Sequence, residues 1–168
     1  SGTEQISRQI LEVYGLTYDE IDPRYLSFNE SSAALRDGAI DAAILSVGIP
    51  AAAVLEATTT GSMRLLPIDG QAMEELRRRY PYYSAGEIPE GAYPGMSGAV
   101  PTAAMMNWIV ATDDLDDDVV VALLNILGPD RVSLEQVHEM ANQIDLLRLT
   151  DAPIPLHPAA EAYLRRSH

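Results

Sequence analysis

An α/β fold, mostly parallel sheet flanked by helices, is what the sequence predicts, and three observations carry it. The first is the run from Ile40 to Val47, apolar almost throughout, which suits a strand buried on both faces of a parallel sheet. The second is the punctuation behind it, Gly48-Ile49-Pro50, followed by the helix-forming run Ala51 to Ala57. Glycine permits backbone angles that other residues avoid, and proline fits a first helical turn, where its missing N–H costs nothing. The third is the alternation of short strand-like and helix-like segments as far as Arg79. Short connections between them predict βαβ units with right-handed crossovers.

Taken in order, Ser1-Gly2-Thr3-Glu4 opens the first predicted helix. Ser1 and Glu4 stand at capping-box spacing, and Thr3 is a second candidate N-cap. Ile6, Ile10 and Val13 share one face, and Gly15 stops the helix. Arg24 to Phe28 reads as a short strand, and Asn29 to Asp37 as a helix capped by Asn29 and ended by Gly38. After the strand and turn at 40–50, Thr58-Thr59-Thr60-Gly61 closes the next helix. Ser62 to Pro67 is then a strand and Gln71 to Arg79 a helix.

From Tyr80 the texture changes. Tyr80-Pro81-Tyr82-Tyr83 and Ile88 to Gly95 form a Pro/Gly/Tyr-rich stretch holding four of the eight tyrosines. It reads as a long loop, whose tyrosines either wall a ligand cleft or pin the loop to the domain surface. Ala99 to Ala111 reads as a second apolar strand with Met105-Met106-Asn107-Trp108 as its buried centre. The acidic cluster from Asp113 to Asp118 lacks the glycine turn of a calcium loop, since Val119 and Val120 stand where that loop must bend. It is read instead as the carboxylate-rich start of a helix. Val119, Val120, Leu123, Ile126 and Leu127 form that helix's stripe, and Gly128-Pro129 its end. Ser133 and Gln136 predict a capping box for a further helix with Val137, Met140, Ala141 and Ile144 inward. Ala152 to Pro158 reads as extended chain, and Ala159 to Arg165 as a terminal helix.

Composition narrows the function. The chain has 168 residues, 47% of them hydrophobic, a net charge of -14 and no cysteine. That is enough apolar matter for a real core. The acidic balance, with arginine as its only strong base, argues against nucleic acid and against an anionic membrane surface. Without cysteine there is no disulfide, thiolate metal site or Cys nucleophile. Catalytic signatures of the HExxH, GxSxG, Walker and GxGxxG kinds are missing. Of the histidines, His168 is terminal, His138 is placed mid-helix, and His157 reads as a structural hydrogen-bonder. No enzyme, metal or cofactor is expected. Ligands of open α/β sheets sit at the carboxyl ends of strands. Ser46, Gly48 and Ile49 are therefore a candidate floor, with a plain βα turn as the alternative. The N–H groups at the first helix start are a candidate anion site, with an ordinary cap as the alternative.

Together these pieces resemble the TAXI solute receptors of TRAP transporters, which are periplasmic-binding-protein-like. Ser1-Gly2-Thr3-Glu4 resembles the family's glycine-containing turn into the second lobe. Asp37-Gly38 with Ile40-Asp41, then Gly48-Ile49-Pro50, is similar to its strand and Gly-x-Pro turn. Tyr80-Pro81-Tyr82-Tyr83, Ile88-Pro89 and Tyr93-Pro94-Gly95 match its tyrosine-rich segment, and Pro155-Leu156-His157-Pro158 with Ala160 and Tyr163 its terminus. Ala159 stands where that family usually has glycine, and Leu164 where a second aromatic is common.

The resemblance implies a type II periplasmic-binding-protein-like fold in a partial chain lacking the N-terminal lobe. Residues 1–98 would be most of the second lobe, and residues 99–168 the segment returning to the first. It implies a small organic acid or amino acid ligand, TRAP permease subunits as partners and a periplasmic or extracytoplasmic location with a signal peptide upstream. The implied site uses backbone N–H groups at Ser1, Gly2 and Thr3 for a carboxylate. Ser46, Gly48 and Ile49 form its floor, and Tyr93 and Thr102 its walls. Arg24, Arg36 or Arg64 could assist, with a solvated arginine as the alternative for each. A homodimer that covers an exposed apolar face is also expected. A ligand-sensing or interaction module on the same fold, and an enzyme on that fold, are the alternatives.

Overall fold

Two helices stop as the glycines dictate. The computed structural model describes residues 2–59 and 63–166, the side chain of residue 139 excepted. Helix α1 spans Gly2–Val13 and α2 spans Phe28–Arg36. After α1, Gly15 takes φ +76°, its N–H bonds the Glu12 carbonyl at 3.0 Å, and the Leu16 N–H bonds the Leu11 carbonyl at 2.9 Å. After α2 the same pair recurs: Gly38 at φ +68°, with Gly38 N–H to Leu35 at 3.1 Å and Ala39 N–H to Ala34 at 2.8 Å. This 6→1 and 5→2 pairing satisfies helix-end carbonyls and calls for a left-handed residue, which glycine supplies without steric cost. The start of α2 corrects the sequence reading. Its cap is Ser27, not Asn29, in a capping box with Glu30, so Arg24 to Phe28 is no strand. Both Glu30 bonds to Ser27 favour its ionised form and lower its pKa.

The chain divides into two compact units, Ser1–Met106 and Asn107–His168. In the first, α3 spans Ala52–Thr59 and α4 spans Gly70–Arg79. Strands β1, Tyr83–Ile88, and β2, Val100–Met105, pair antiparallel, Tyr83 opposite Met105 and Ile88 opposite Val100. The core joins Ile10 of α1, Met73 and Leu76 of α4, and Tyr83 of β1, with Ile6, Val13 and Ile44 against it. The face Ile6, Ile10, Val13 is thus the inward one, as predicted. Gly86 is needed for close packing, because a Cβ there would lie 2.8 Å from the Ala104 Cβ. Helices α2 and α3 meet at Ser32, fully buried, whose hydroxyl donates to the Ala53 carbonyl at 2.6 Å.

The parallel sheet is not found among the described residues. The stretch from Ile40 to Val47 is irregular chain, as is the stretch from Met63 to Asp69 that includes the predicted strand's described part; Ser62 lies outside the described residues. Ile44 still packs against the core. Partial burial against a core accounts for the apolar run, and periodicity alone cannot separate packed coil from strand. Conversely, the tyrosine-rich stretch read as loop contains β1. Its prolines, Pro81 and Pro89, fall just outside the strand, where a missing N–H breaks no ladder bond.

In the second unit, α5 spans Asp117–Leu127, α6 Val132–Glu135 and α7 Pro158–Arg166, with 3₁₀ turns at Glu139–Gln143 and Leu146–Asp151. The acidic cluster does open α5. Its buried residues are Val120 and Leu124, packed on Ala159 and Ala160 of α7. Val119 and Ile126 are exposed, contrary to the predicted stripe. The i, i+4 pair faces α7, and the small alanines let the helices approach. Ser133 lies inside α6 rather than capping it, and its hydroxyl donates back to the Asp130 carbonyl at 3.1 Å. Val137 points outward at 82% exposure, although Ala141 is buried. His138 caps the following turn instead of sitting mid-helix, its Nδ1 accepting from the Met140 N–H at 3.1 Å. β2 ends at Met105, so the predicted buried strand to Ala111 is cut short, and Ile109 and Val110 are 66% and 69% exposed.

Tyr83 reports on the first core directly. Burial pushes its phenol from 10.0 up to about 12. Its folded-state value therefore lies above its unfolded one, so the stabilisation is whole below pH 10 and is lost as pH rises through about 12. Spectrophotometric titration of the folded protein should show a late phenolate step that Tyr83→Phe removes. Denaturation midpoints should fall across that same window in the parent and less steeply in the variant.

Candidate functional site

The turn at 46–51 is assembled from both sides. Ser46, Gly48 and Ile49 are half-buried and lead through a cis Ile49–Pro50 bond to Ala51. The Ala51 carbonyl accepts from Val54 at 3.1 Å and Leu55 at 3.0 Å, so Ala51 is the cap of α3 and Pro50 lies just before it, outside the first turn. Gly48 is not among the glycines of positive φ, so no left-handed backbone angle calls for glycine there. From the far end of the chain's first unit, Tyr93 reaches this point. It is 3% exposed, and its hydroxyl accepts the Ala51 N–H at 3.0 Å. That bond satisfies one of the N–H groups that a helix start leaves open. It also ties Tyr93 to the residue that caps α3.

The other predicted contacts are placed on their own elements. Ser1 is outside the described residues. Gly2 is exposed at the start of α1, and the half-buried Thr3 accepts the Ser7 hydroxyl on its carbonyl at 2.8 Å. Thr102 pairs with Gly86 in the hairpin. Arg24 pairs with Asp22 at 2.6 Å, and Arg36 with Glu56 at 3.0 Å. These two are occupied at the surface.

A cavity of about 220 Å³ lies between the last turn of α3 and the segment joining the hairpin strands, lined by residues 58, 63–65 and 94–100. Arg64 is on its wall. The lining segment runs between Tyr93 and Thr102, so the sequence reading picked its two flanks and passed over its middle. The signal for that middle was the pair Gly95 and Gly98, three residues apart in the connection between the strands. Space lies open above both, with nothing within 4 Å of a Cβ built on either.

His157 is a cap, as its setting suggested. Its Nδ1 accepts from the Ala159 N–H at 3.2 Å, and its carbonyl accepts from Ala160 at 2.9 Å and Glu161 at 3.1 Å. Its Nε2 is buried without a partner among the described residues. The Asp117 carboxylate stands 4.0 Å from Nδ1. Among the described residues no group of three or more His, Asp or Glu could hold a metal ion, and no helix is long and apolar enough to cross a membrane.

The model of the NMT1-like family matches residues 1–166 of this chain, which therefore belongs to that family. The family is periplasmic-binding-protein-like and its members are commonly substrate-binding domains.

Tyr93→Phe tests the bond to Ala51. Removing the hydroxyl leaves a part-buried N–H unpaired, which should destabilise the protein by about 1–2 kcal/mol in urea denaturation. An unchanged midpoint would mean that the Ala51 N–H needs no partner there.

Proposed function

We propose that this chain is the ligand-capturing part of an extracytoplasmic solute receptor of the TAXI kind, delivering a small carboxylate or amino acid to a TRAP-type permease. What carries the reading is the family match over nearly the whole chain, combined with the order of the quoted motifs. The geometry supports it at one place. The Gly-x-Pro turn and the tyrosine segment, 42 residues apart, are joined by the Tyr93 to Ala51 hydrogen bond. The proposal assigns the chain binding without turnover. Its ligand contacts are the backbone N–H groups at Ser1, Gly2 and Thr3, the floor at Ser46, Gly48 and Ile49, and the walls at Tyr93 and Thr102. An acidic protein can hold an anion in this way, because oriented N–H groups act locally.

The proposal includes self-association through the second unit, where Ile109, Val110 and Val137 leave apolar side chains in water. Light scattering should give a dimer mass, and a strictly monomeric profile at all concentrations would remove this part. Calorimetry of the protein against a panel of small carboxylates and amino acids should show saturable binding by some of them. Gly48→Val, which places a branched side chain on the floor, should weaken that binding at least about tenfold. Unchanged affinity would take the turn out of the site, and silence across the panel would end the receptor reading.

A further inference from the structure

We infer that the cavity beside Arg64 is a subsite for a short organic acid, with the Arg64 guanidinium holding the carboxylate. The inference deepens the receptor reading, on which it rests, by adding a contact surface apart from the Gly48 turn. Charge is the first ground. The protein carries 25 acidic residues against 11 basic ones, yet among the described residues no acidic one lines this cavity and Arg64 does. Eight other arginines, at positions 8, 24, 36, 78, 79, 131, 148 and 165, each have a carboxylate within ion-pair distance. Arg64 has none among the described residues. In a chain so rich in carboxylates, an arginine on a cavity wall without one is a cation left for a partner from outside.

The wall itself is the second ground. Gly95 takes φ +83°, and both it and Gly98 have open space where a side chain would stand. The backbone there is accessible to a ligand, and Ser97 between them adds a hydroxyl. Met63, Leu65 and Met96 supply an apolar remainder, which suits a short hydrocarbon body and gives nothing to an inorganic anion. At about 220 Å³ the space has room for a short acid. One effect opposes an anion, namely the partial negative charge at the end of α3. It amounts to about half a charge at most, against a full charge on arginine. It is further blunted where the Thr58 hydroxyl donates to the Val54 carbonyl at 2.8 Å and the Thr59 hydroxyl to the Leu55 carbonyl at 2.6 Å. An arginine fork also matches a carboxylate in shape.

Calorimetry of the full chain with acetate, butyrate and succinate, and with inorganic phosphate at matched ionic strength, tests this. Butyrate or succinate should bind more tightly than phosphate. Arg64→Gln should weaken that binding about 10- to 100-fold, the range of a charge-assisted hydrogen-bond pair. Arg64→Lys, which keeps the charge and loses the fork, should fall between. Arg64 is exposed, so both variants should keep the parent's circular dichroism. Unchanged affinity in Arg64→Gln overturns the subsite. If Gly48→Val alone abolishes binding, the receptor reading stands and the subsite falls. Phosphate binding as tightly as butyrate overturns the organic-acid assignment. Silence from all three acids ends both readings.

Discussion

The first unit depends on how the amide of Gln9 is held. Gln9 is buried on α1, where an unpaired amide would be costly. Its Nε2 donates to the Tyr82 hydroxyl at 2.6 Å, and its Oε1 accepts from the Tyr83 hydroxyl at 2.7 Å. Two consecutive residues, one of them the first of β1, are thereby tied to a single side chain on a distant helix. The Tyr82 and Tyr83 rings lie 4.9 Å apart, with Tyr80 a further 6.0 Å from Tyr82. Arg79 and Tyr80 extend the same contact outward, bonding the two Glu12 oxygens at 2.7 Å and 2.9 Å. The strand's register on α1 follows from these bonds. The apolar contacts of Leu76 and Ile10 alone, being non-directional, would allow it to slide.

This explains which parts of the fold could be read in the sequence. Helix ends are local. Gly15 and Gly38 close their helices through bonds that reach only five residues back, so a glycine after an amphipathic run was sufficient information. The cap of α2 was equally local but had two claimants two residues apart, Ser27 and Asn29. Glu30 at the third position decides for Ser27. Strands are not local. β1 exists because β2 lies opposite it, across a long connection, and because Gln9 fixes Tyr83 from 74 residues away. Nothing near Ile40 to Val47 announces that this segment meets a core and not a neighbouring strand.

The site was legible to a similar degree. The Gly-x-Pro turn marked the start of α3 correctly to within a residue or two. Tyr93 was selected for its type, and its contact with Ala51 is what a buried phenol needs in order to satisfy its polar tip. The cavity had only the pair Gly95 and Gly98 as its cue, since glycines, a serine and methionines in a connecting segment carry no periodic signal. His157 illustrates the opposite case. Its place just before a proline at a helix start is a local feature, and the capping bond at Ala159 followed from it.

Net charge was the least informative observation about binding, for a physical reason. Charges in water are screened over about 8 Å at physiological salt, so the total of -14 describes the surface at a distance and not the potential inside a given hollow. Within that distance the arrangement is specific. Glu75 takes both Arg78 and Arg79, at 2.6 Å and 2.5 Å, and is drawn down to about 2 by them. Such clusters lie at the exposed surface, where each is worth little to stability, but they remove arginines from the supply available to a ligand. The acidic excess and the pairing act together. Once most cations have a carboxylate close by, the few that do not become the places where an anion from solution finds an unanswered charge, and the position of those few within the fold matters more than the sign of the whole.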